Sequence, residues 1–164
     1  MGRSGIICAG NWIVDLIHDL DRWPNESELV RIGTQARGVG GGPANVITTL
    51  AKLETGLPLY PMGAIGEDEY GAFILKECRH LGLPTSGLIS KTDVATAHTH
   101  VMSVAGQSRT FFYQGGANDT LNINDFPEGT FKDTSALIFY LGYLTLLRDL
   151  DQILDDNTTN AAVV

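Results

Sequence analysis

The fold is decided by residues 38 to 53, which read G-V-G-G-G-P-A-N-V-I-T-T-L-A-K-L. The first half is a glycine cluster, where the backbone can adopt positive φ and approach a ligand closely. The second half predicts a helix, because Pro43 suits a first helical turn and apolar residues recur along one side. These apolar residues are Val46, Ile47, Leu50, Ala51 and Leu53.

A loop that leads into a helix N-terminus presents unpaired N–H groups and the positive end of the helix dipole. The glycine cluster therefore predicts a site for an oxygen-rich ligand, which the Asn45 amide could also reach. The spacing fits neither the phosphate loop G-x-x-x-x-G-K-[ST] nor G-x-G-x-x-G followed by an acidic residue. An ordinary turn before a helix therefore stays open as the alternative at this point.

Composition limits the classes of protein to consider. The chain has 164 residues, of which 43% are hydrophobic and 18% charged, which is typical of one globular domain. A net charge of −8 gives no basic surface for nucleic acid or an anionic membrane. Cys8 lies in an apolar run and Cys78 lies on the apolar side of a predicted helix, which favours buried free thiols over a disulfide. Without a signal peptide core or an apolar stretch long enough to span a bilayer, we expect a cytoplasmic protein.

Strands and helices alternate along the chain. Three apolar runs predict buried strands, because each is short and lies between turn residues. The runs cover Gly5 to Gly10, Leu59 to Gly63 and Ser135 to Gly142. A helix is predicted from Gly66 to Leu81, with acidic residues in its first turn and basic ones near its end. Leucines at helical spacing also occupy Leu144 to Leu154.

Two further pairs of extended segments predict hairpins that stand off the main sheet. The first covers residues 13 to 37 around the turn W-P-N-E-S, and the second covers residues 96 to 114 around A-G-Q-S. Asp15 follows the first buried strand, at the end where open α/β sheets bind ligands, and is therefore a candidate binding residue. His98 and His100 share one face of their strand, but no third ligand has matching spacing, so we predict no metal site.

Three motifs together resemble the amino-terminal half of the PfkB (ribokinase-like) family of carbohydrate kinases. They are the glycine cluster with its helix, the run Gly66-Glu67-Asp68-Glu69-Tyr70-Gly71 and the run Gly116-Ala117-Asn118. The resemblance implies an α/β fold with a ribokinase-like three-layer α/β/α Rossmann-like core and a small β-sheet lid. The two predicted hairpins would form this lid, which in the family closes over the substrate and often mediates dimerisation.

The resemblance also implies a function and a set of site residues. Family members phosphorylate a hydroxyl of a sugar or nucleoside with ATP and Mg²⁺. The residues that match substrate-binding positions are Asp15, Gly40, Gly41, Asn45, Thr99, Val101 and Tyr113. Ile13 and Gly142 depart from the family's ribose-binding pattern, which disfavours ribose. We therefore expect a small-molecule sugar substrate and a homodimer formed through the lid.

The family's catalytic segment, D-T-x-G-A-G-D, does not occur in the 164 residues, so we expect neither the catalytic base nor the ATP and Mg²⁺ ligands in this chain. One hypothesis is that the chain forms part of a longer kinase and supplies its substrate pocket and lid. The alternative is a non-catalytic module of the same half-fold that binds sugar or dimerises. A dinucleotide-binding domain is a weaker alternative, because Gly10 leads into extended residues and not into a G-x-G-x-x-G turn.

Overall fold

The computed structural model describes residues 2–126 and 128–152, which form two four-stranded sheets with helices between them. The strands in chain order are β1 (Gly5–Gly10), β2 (Ile13–Leu20), β3 (Ile32–Gly40), β4 (Leu59–Gly66), β5 (Leu88–Lys91), β6 (His98–Val104), β7 (Thr110–Gln114) and β8 (Ala136–Gly142). The α-helices are α1 (Gly42–Lys52), α2 (Glu69–His80) and α3 (Glu128–Lys132). Short 3₁₀ turns cover Gly116–Thr120, Ile123–Asp125 and Leu144–Leu146.

The core sheet is parallel, with strand order β5-β4-β1-β8. Alternate residues of β1 pack on opposite faces: Cys8 lies with the α1 and α2 side chains Ile47 and Ile74, while Ile7 and Ala9 lie on the other face. Side chains from around α3, including Phe126 and Phe131, partly cover that second face. The result is the predicted three-layer arrangement. The strand β5 was not predicted, because L-I-S-K is short and has no clear alternation.

Helix α1 begins where the sequence predicts it, directly after the glycine cluster. Gly41 has φ of +95° and precedes the helix, Pro43 occupies its first turn, and Ile47 is fully buried in the core. The prediction for Leu53 was wrong, since its side chain is 67% exposed. The helix ends at Lys52, so Leu53 caps the helix and does not extend the buried stripe.

The second sheet, here called the small sheet, has strand order β3-β2-β6-β7 and contains both predicted hairpins. Within each hairpin the strands are antiparallel, but the two central strands β2 and β6 pair in parallel. Because side chains alternate along each strand, the sheet has two distinct faces. The front face carries Asp15, and the back face carries Val14.

The back face packs on the core. Val14 is fully buried among core residues, with Leu16 and Val39 against the same cluster. The guanidinium of Arg37 lies 4.3 Å from the centre of the Phe73 ring on α2. One side of the small sheet is therefore fixed to the body of the protein, and the front face lies on the opposite side of the sheet.

Other sequence predictions have mixed outcomes. Cys8 and Cys78 are free and buried, and burial raises the pKa of each thiol to about 11. The leucine-rich run that starts at Leu144 forms one 3₁₀ turn, and its part beyond residue 152 lies outside the described residues. Among the described residues, no helix has the length and apolar character needed to cross a membrane.

Candidate substrate site

The register of the small sheet places four residues in one row across its strands. Asp15 pairs with Gly38 on one side and with Thr99 on the other, and Thr99 pairs in turn with Tyr113. Since paired residues point to the same face, Asp15, Thr99 and Tyr113 project together from the front face. A carboxylate and two hydroxyls are thereby brought side by side, although up to 98 residues (113 minus 15) separate them in the chain.

The next row along the same face is apolar. Val101 pairs with Ile17 and with Phe111, so it lies one step further from the core than Thr99. Val101 is only 3% exposed, whereas Phe111 is 56% exposed. The front face therefore combines a polar row with an apolar row, an arrangement that suits the hydroxyls and the carbon skeleton of a sugar.

Gly40 is required by the Asp15 side chain. A Cβ atom added to Gly40 would overlap the Asp15 carboxylate, so only glycine leaves room for that group. Burial raises the pKa of Asp15, and the positive charge of Arg109 acts in the opposite direction. The carboxylate is thus partly desolvated at the front face, where hydrogen bonds to a ligand are stronger than in water.

Gly41 and Gly42 connect the front face to helix α1, and Asn11 holds this connection. The Gly42 N–H donates to Asn11 Oδ1 at 3.3 Å, and a Cβ on Gly41 would collide with the Asn11 carbonyl oxygen. Asn11 is fully buried, and its Nδ2 has no hydrogen-bond partner among the described residues. The sequence did not predict this role of Asn11, although a polar residue directly after the buried strand β1 was a usable signal.

Tyr113 is held by Asn118, which belongs to the motif Gly116-Ala117-Asn118. The Asn118 amide exchanges two 3.2 Å hydrogen bonds with the Trp12 backbone, accepting from N–H and donating to the carbonyl. Its Nδ2 also donates to the Tyr113 hydroxyl at 3.4 Å. Burial raises the pKa of Tyr113, the Asn118 hydrogen bond lowers it and the Asp119 charge raises it. This motif therefore connects the core to the polar row.

The structure brings together most, but not all, of the predicted site residues. Asp15, Gly40, Thr99, Val101 and Tyr113 belong to the small sheet, and Gly41 follows directly. Asn45 lies one turn into α1 at an exposed position, and its side chain makes no hydrogen bond to the described residues. Its amide is therefore free to bind a ligand that lies above the helix N-terminus.

Asp68 connects helix α2 with the start of β6. Its carboxylate accepts hydrogen bonds from Gly71 N–H at 2.8 Å, Thr96 N–H at 2.8 Å and the Thr96 hydroxyl at 2.6 Å. The Thr96 hydroxyl also accepts from Gly66 N–H at 2.9 Å. Partial burial would raise the pKa of Asp68, but these hydrogen bonds together lower it. The acidic motif therefore positions the strand that carries Thr99 and Val101.

Three histidines cluster on the back face. His18 Nε2 lies 3.1 Å from His100 Nδ1, and Gln35 Nε2 lies 3.1 Å from His18 Nδ1. Since the Gln35 amide nitrogen can only donate, His18 accepts at Nδ1 and donates from Nε2 to His100. The His98 ring lies against His100 and against Tyr70. Burial lowers the pKa of His100, and the charges of His18 and His98 lower it further.

No group of three or more His, Cys, Asp or Glu side chains in the described part of the chain could hold a metal ion.

A three-layer α/β/α core joined to a four-stranded small sheet is a ribokinase-like fold. Residues 3–147 match the model of the pfkB family of carbohydrate kinases. The chain belongs to this family, as the sequence motifs predicted.

Individual relatives in sequence and in structure support the same family assignment. The chain is 32% identical over 139 residues to 5-dehydro-2-deoxygluconokinase of Listeria innocua, a match that covers 83% of this chain and 41% of the relative. The ribokinase structure from Giardia lamblia superposes with a TM-score of 0.75 at 21% identity, covering 84% of this chain and 44% of that one. A structure of Arabidopsis thaliana ribokinase with ribose and ATP gives a TM-score of 0.63 at 28% identity, covering 72% and 38%. The ribokinase-like fold is therefore established, and the chain spans about two fifths of the length of these relatives.

Proposed function

We propose that this chain supplies the sugar-binding pocket and lid of an ATP-dependent carbohydrate kinase. The observation that carries the proposal is the row of Asp15, Thr99 and Tyr113 beside the glycine turn at Gly40 and Gly41. Membership of the pfkB family supports the reaction class, and the relatives include kinases named for a sugar and for a sugar acid.

The site has the groups that recognise hydroxyls. A sugar hydroxyl is both a donor and an acceptor, so the two Asp15 oxygens can accept from neighbouring hydroxyls, while Tyr113 and Thr99 can donate or accept. The glycine turn at Gly41 allows a ligand to approach the backbone, and the Asn45 amide can bind the same ligand from α1. Asp15 would supply the strongest contact, because hydrogen bonds to a charged group are stronger than neutral ones.

The small sheet would act as the lid. A cover over the acceptor sugar excludes water, which would otherwise compete with the sugar for the phosphoryl group. Phosphoryl transfer then depends on positioning and electrostatic stabilisation, with no covalent intermediate on the enzyme. The residues of this chain bind and orient the acceptor hydroxyl.

ATP and Mg²⁺ would bind through residues outside the 164 residues of this chain. The 164 residues contain no D-T-x-G-A-G-D segment, and the described residues offer no group of metal ligands. The proposal therefore places the catalytic base and the nucleotide site in a further part of a longer protein. When bound, Mg·ATP supplies the phosphoryl group that the oriented hydroxyl receives.

Dimerisation through the lid is part of the same proposal. Large apolar side chains are exposed on the small sheet and in the connection between β2 and β3, including Trp23, Leu29, Ile32 and Phe112. A second copy that covered these side chains would remove apolar surface from water. Sedimentation over a range of protein concentrations tests this, and a monomer at all concentrations would contradict it.

The test combines an intact mass with two functional assays. The mass of the native protein is measured first, followed by ADP formation with Mg·ATP and a panel of sugars, and by equilibrium binding of the same sugars. A mass well above 17.7 kDa and turnover with one sugar would support the kinase. A mass of 17.7 kDa with sugar binding but no turnover would favour the non-catalytic module.

Substitution of Asp15 tests whether its carboxylate binds the sugar. Asp15→Ala should lower sugar affinity by roughly ten- to a hundredfold, the equivalent of one charged hydrogen bond. Asp21→Ala is the matched control, because Asp21 is an exposed acid just beyond β2 and outside the polar row. An unchanged sugar affinity in Asp15→Ala would remove Asp15 from the site.

A further inference from the structure

Arg109 lies on the same face as the proposed sugar site. It directly precedes β7, in which Phe111 and Tyr113 point to the front face, so alternation places Arg109 on that face as well. Its guanidinium lies 5.5 Å from the centre of the Phe111 ring. Since Phe111 stands between Arg109 and Tyr113 along the strand, the side chain is folded back toward the polar row.

Among the residues that the structure describes, no carboxylate is in contact with the Arg109 guanidinium. The ion pairs found among the described residues involve Arg22, Lys91 and Arg148, and none involves Arg109. The guanidinium makes no hydrogen bond to the described residues either. Its five donors are therefore available to a ligand.

Two carboxylates share the front face with Arg109. Asp19 is engaged by the Thr34 hydroxyl, which donates to it. Burial raises the pKa of Asp15, and the positive charge of Arg109 lowers it. The front face therefore has acceptor oxygens at the row of Asp15 and a positive charge, that of Arg109, beside Phe111.

We propose that this site takes a sugar bearing a negative group, either a carboxylate or a phosphate, and that Arg109 binds that group while Asp15 binds hydroxyls. This inference rests on the proposed sugar site. The Phe111 row is two residues from the Tyr113 row, or about 7 Å along the strand, a span that the carbon chain of a hexose can cover. A planar guanidinium fits both carboxylate and phosphate through two parallel hydrogen bonds.

The experiment compares matched charged and neutral probes by calorimetric titration of the purified protein. Gluconate is compared with gluconamide, and fructose 6-phosphate with fructose, so that each pair differs mainly in charge. We expect at least one charged probe to bind about tenfold more tightly than its neutral partner, and the preference to shrink as salt is added. The first pair reports a carboxylate ligand and the second a phosphate ligand.

Substitutions assign the preference to Arg109. Arg109→Gln should abolish the difference within the pair while leaving the neutral probe unaffected, and Arg109→Lys should retain part of it. Arg37→Gln is the matched control, because Arg37 also lies over a phenylalanine ring but on the back face. The control should keep the full preference, and thermal unfolding of each variant verifies that it is folded.

The outcomes separate this inference from the proposed function. Equal affinity for both members of each pair would overturn the role of Arg109 and leave the sugar site intact. A preference that survives in Arg109→Gln would also overturn it. Binding of no probe, charged or neutral, would contradict both the inference and the proposed function.

Discussion

Removing the Asp68 carboxylate should weaken the junction between helix α2 and the small sheet. In Asp68→Ala the Gly71 N–H loses its helix cap and the Thr96 N–H loses its acceptor. The Thr96 hydroxyl loses its 2.6 Å bond to the carboxylate and keeps only the Gly66 carbonyl oxygen at 3.4 Å as an acceptor. Thr96 is fully buried, so water does not readily replace these bonds. The perturbation is local, because the carboxylate lies at the surface end of the junction and fills little core volume.

The magnitude follows from the three hydrogen bonds. Loss of a helix cap costs about 1 kcal/mol. A buried N–H left without a partner costs about 1–3 kcal/mol, as does the loss of the hydroxyl bond to a charged acceptor. Since neighbouring effects are not additive, we expect Asp68→Ala to lower the free energy of unfolding by about 3 kcal/mol. Asp68→Asn keeps one acceptor oxygen and should cost about half as much.

Urea unfolding, followed by tryptophan fluorescence, measures the free energy of unfolding of each variant. Trp12 is fully buried and bonded to Asn118, so its emission reports the native core. Glu69→Ala is the matched control, because Glu69 is an exposed acid in the same helical turn and should cost well under 1 kcal/mol. Acid should mimic the substitution: the folded pKa of Asp68 is lowered, so its contribution is present above the unfolded value of 3.8 and is lost as pH falls below it.

A double-mutant cycle with Thr96→Val tests whether the Asp68 carboxylate stabilises the protein through Thr96. If the carboxylate acts through Thr96, the two substitutions together should cost less than their sum by at least about 0.5 kcal/mol. A loss in Asp68→Ala no larger than in Glu69→Ala, or strict additivity with Thr96→Val, would refute the proposed junction.

Two further predictions concern the small sheet. Gly40→Ala should displace the Asp15 carboxylate and reduce sugar affinity in titration as much as Asp15→Ala does. The control is Gly33→Ala, which lies on the same strand outside the polar row and whose added Cβ would meet only the Asp19 carbonyl oxygen at 3.6 Å, so it should leave the affinity unchanged. An unaltered affinity in Gly40→Ala would show that Asp15 can move without loss of function. The His100 pKa is lowered on folding, so the unfolded chain binds more protons as pH falls through 6.5, and the free energy of unfolding should decrease there. Urea midpoints at about pH 8 and about pH 5 check this, and the pH effect should shrink in His100→Gln.

Local patterns predicted the elements but not the contacts between them. Periodicity and turn residues located β1, β8 and α1, because a buried strand or an amphipathic helix is encoded within its own residues. The end of α1 was predicted less well: Leu53 fits the apolar period, but the helix stops one residue earlier. The short strand β5 depends on pairing with β4, a tertiary contact that its four residues do not encode.

Some residues of the candidate site were likewise predictable from local patterns, and others depend on distant contacts. Asp15 was identifiable from its place after a buried strand, and Gly40 from the glycine cluster. The roles of Asn11 and Asn118 depend on partners 31 and 106 residues away, which spacing within a local window does not indicate. The position of Arg109 on the front face depends on the register of a hairpin and on the packing of one aromatic ring.

The parallel pairing of β2 with β6 has a consequence for the order of folding. Each hairpin is local in sequence, but the contact of Asp15 with Thr99 joins segments 84 residues apart (99 minus 15), with α1, β4, α2 and β5 in between. Isolated hairpins are marginally stable in water, and distant pairings form late because a long loop must close first. The polar row is thus divided between two separately formed units and exists only after they meet. A ligand that bridges Asp15 and Tyr113 would hold the two units together, so it would slow their separation and raise the apparent stability of the whole small sheet.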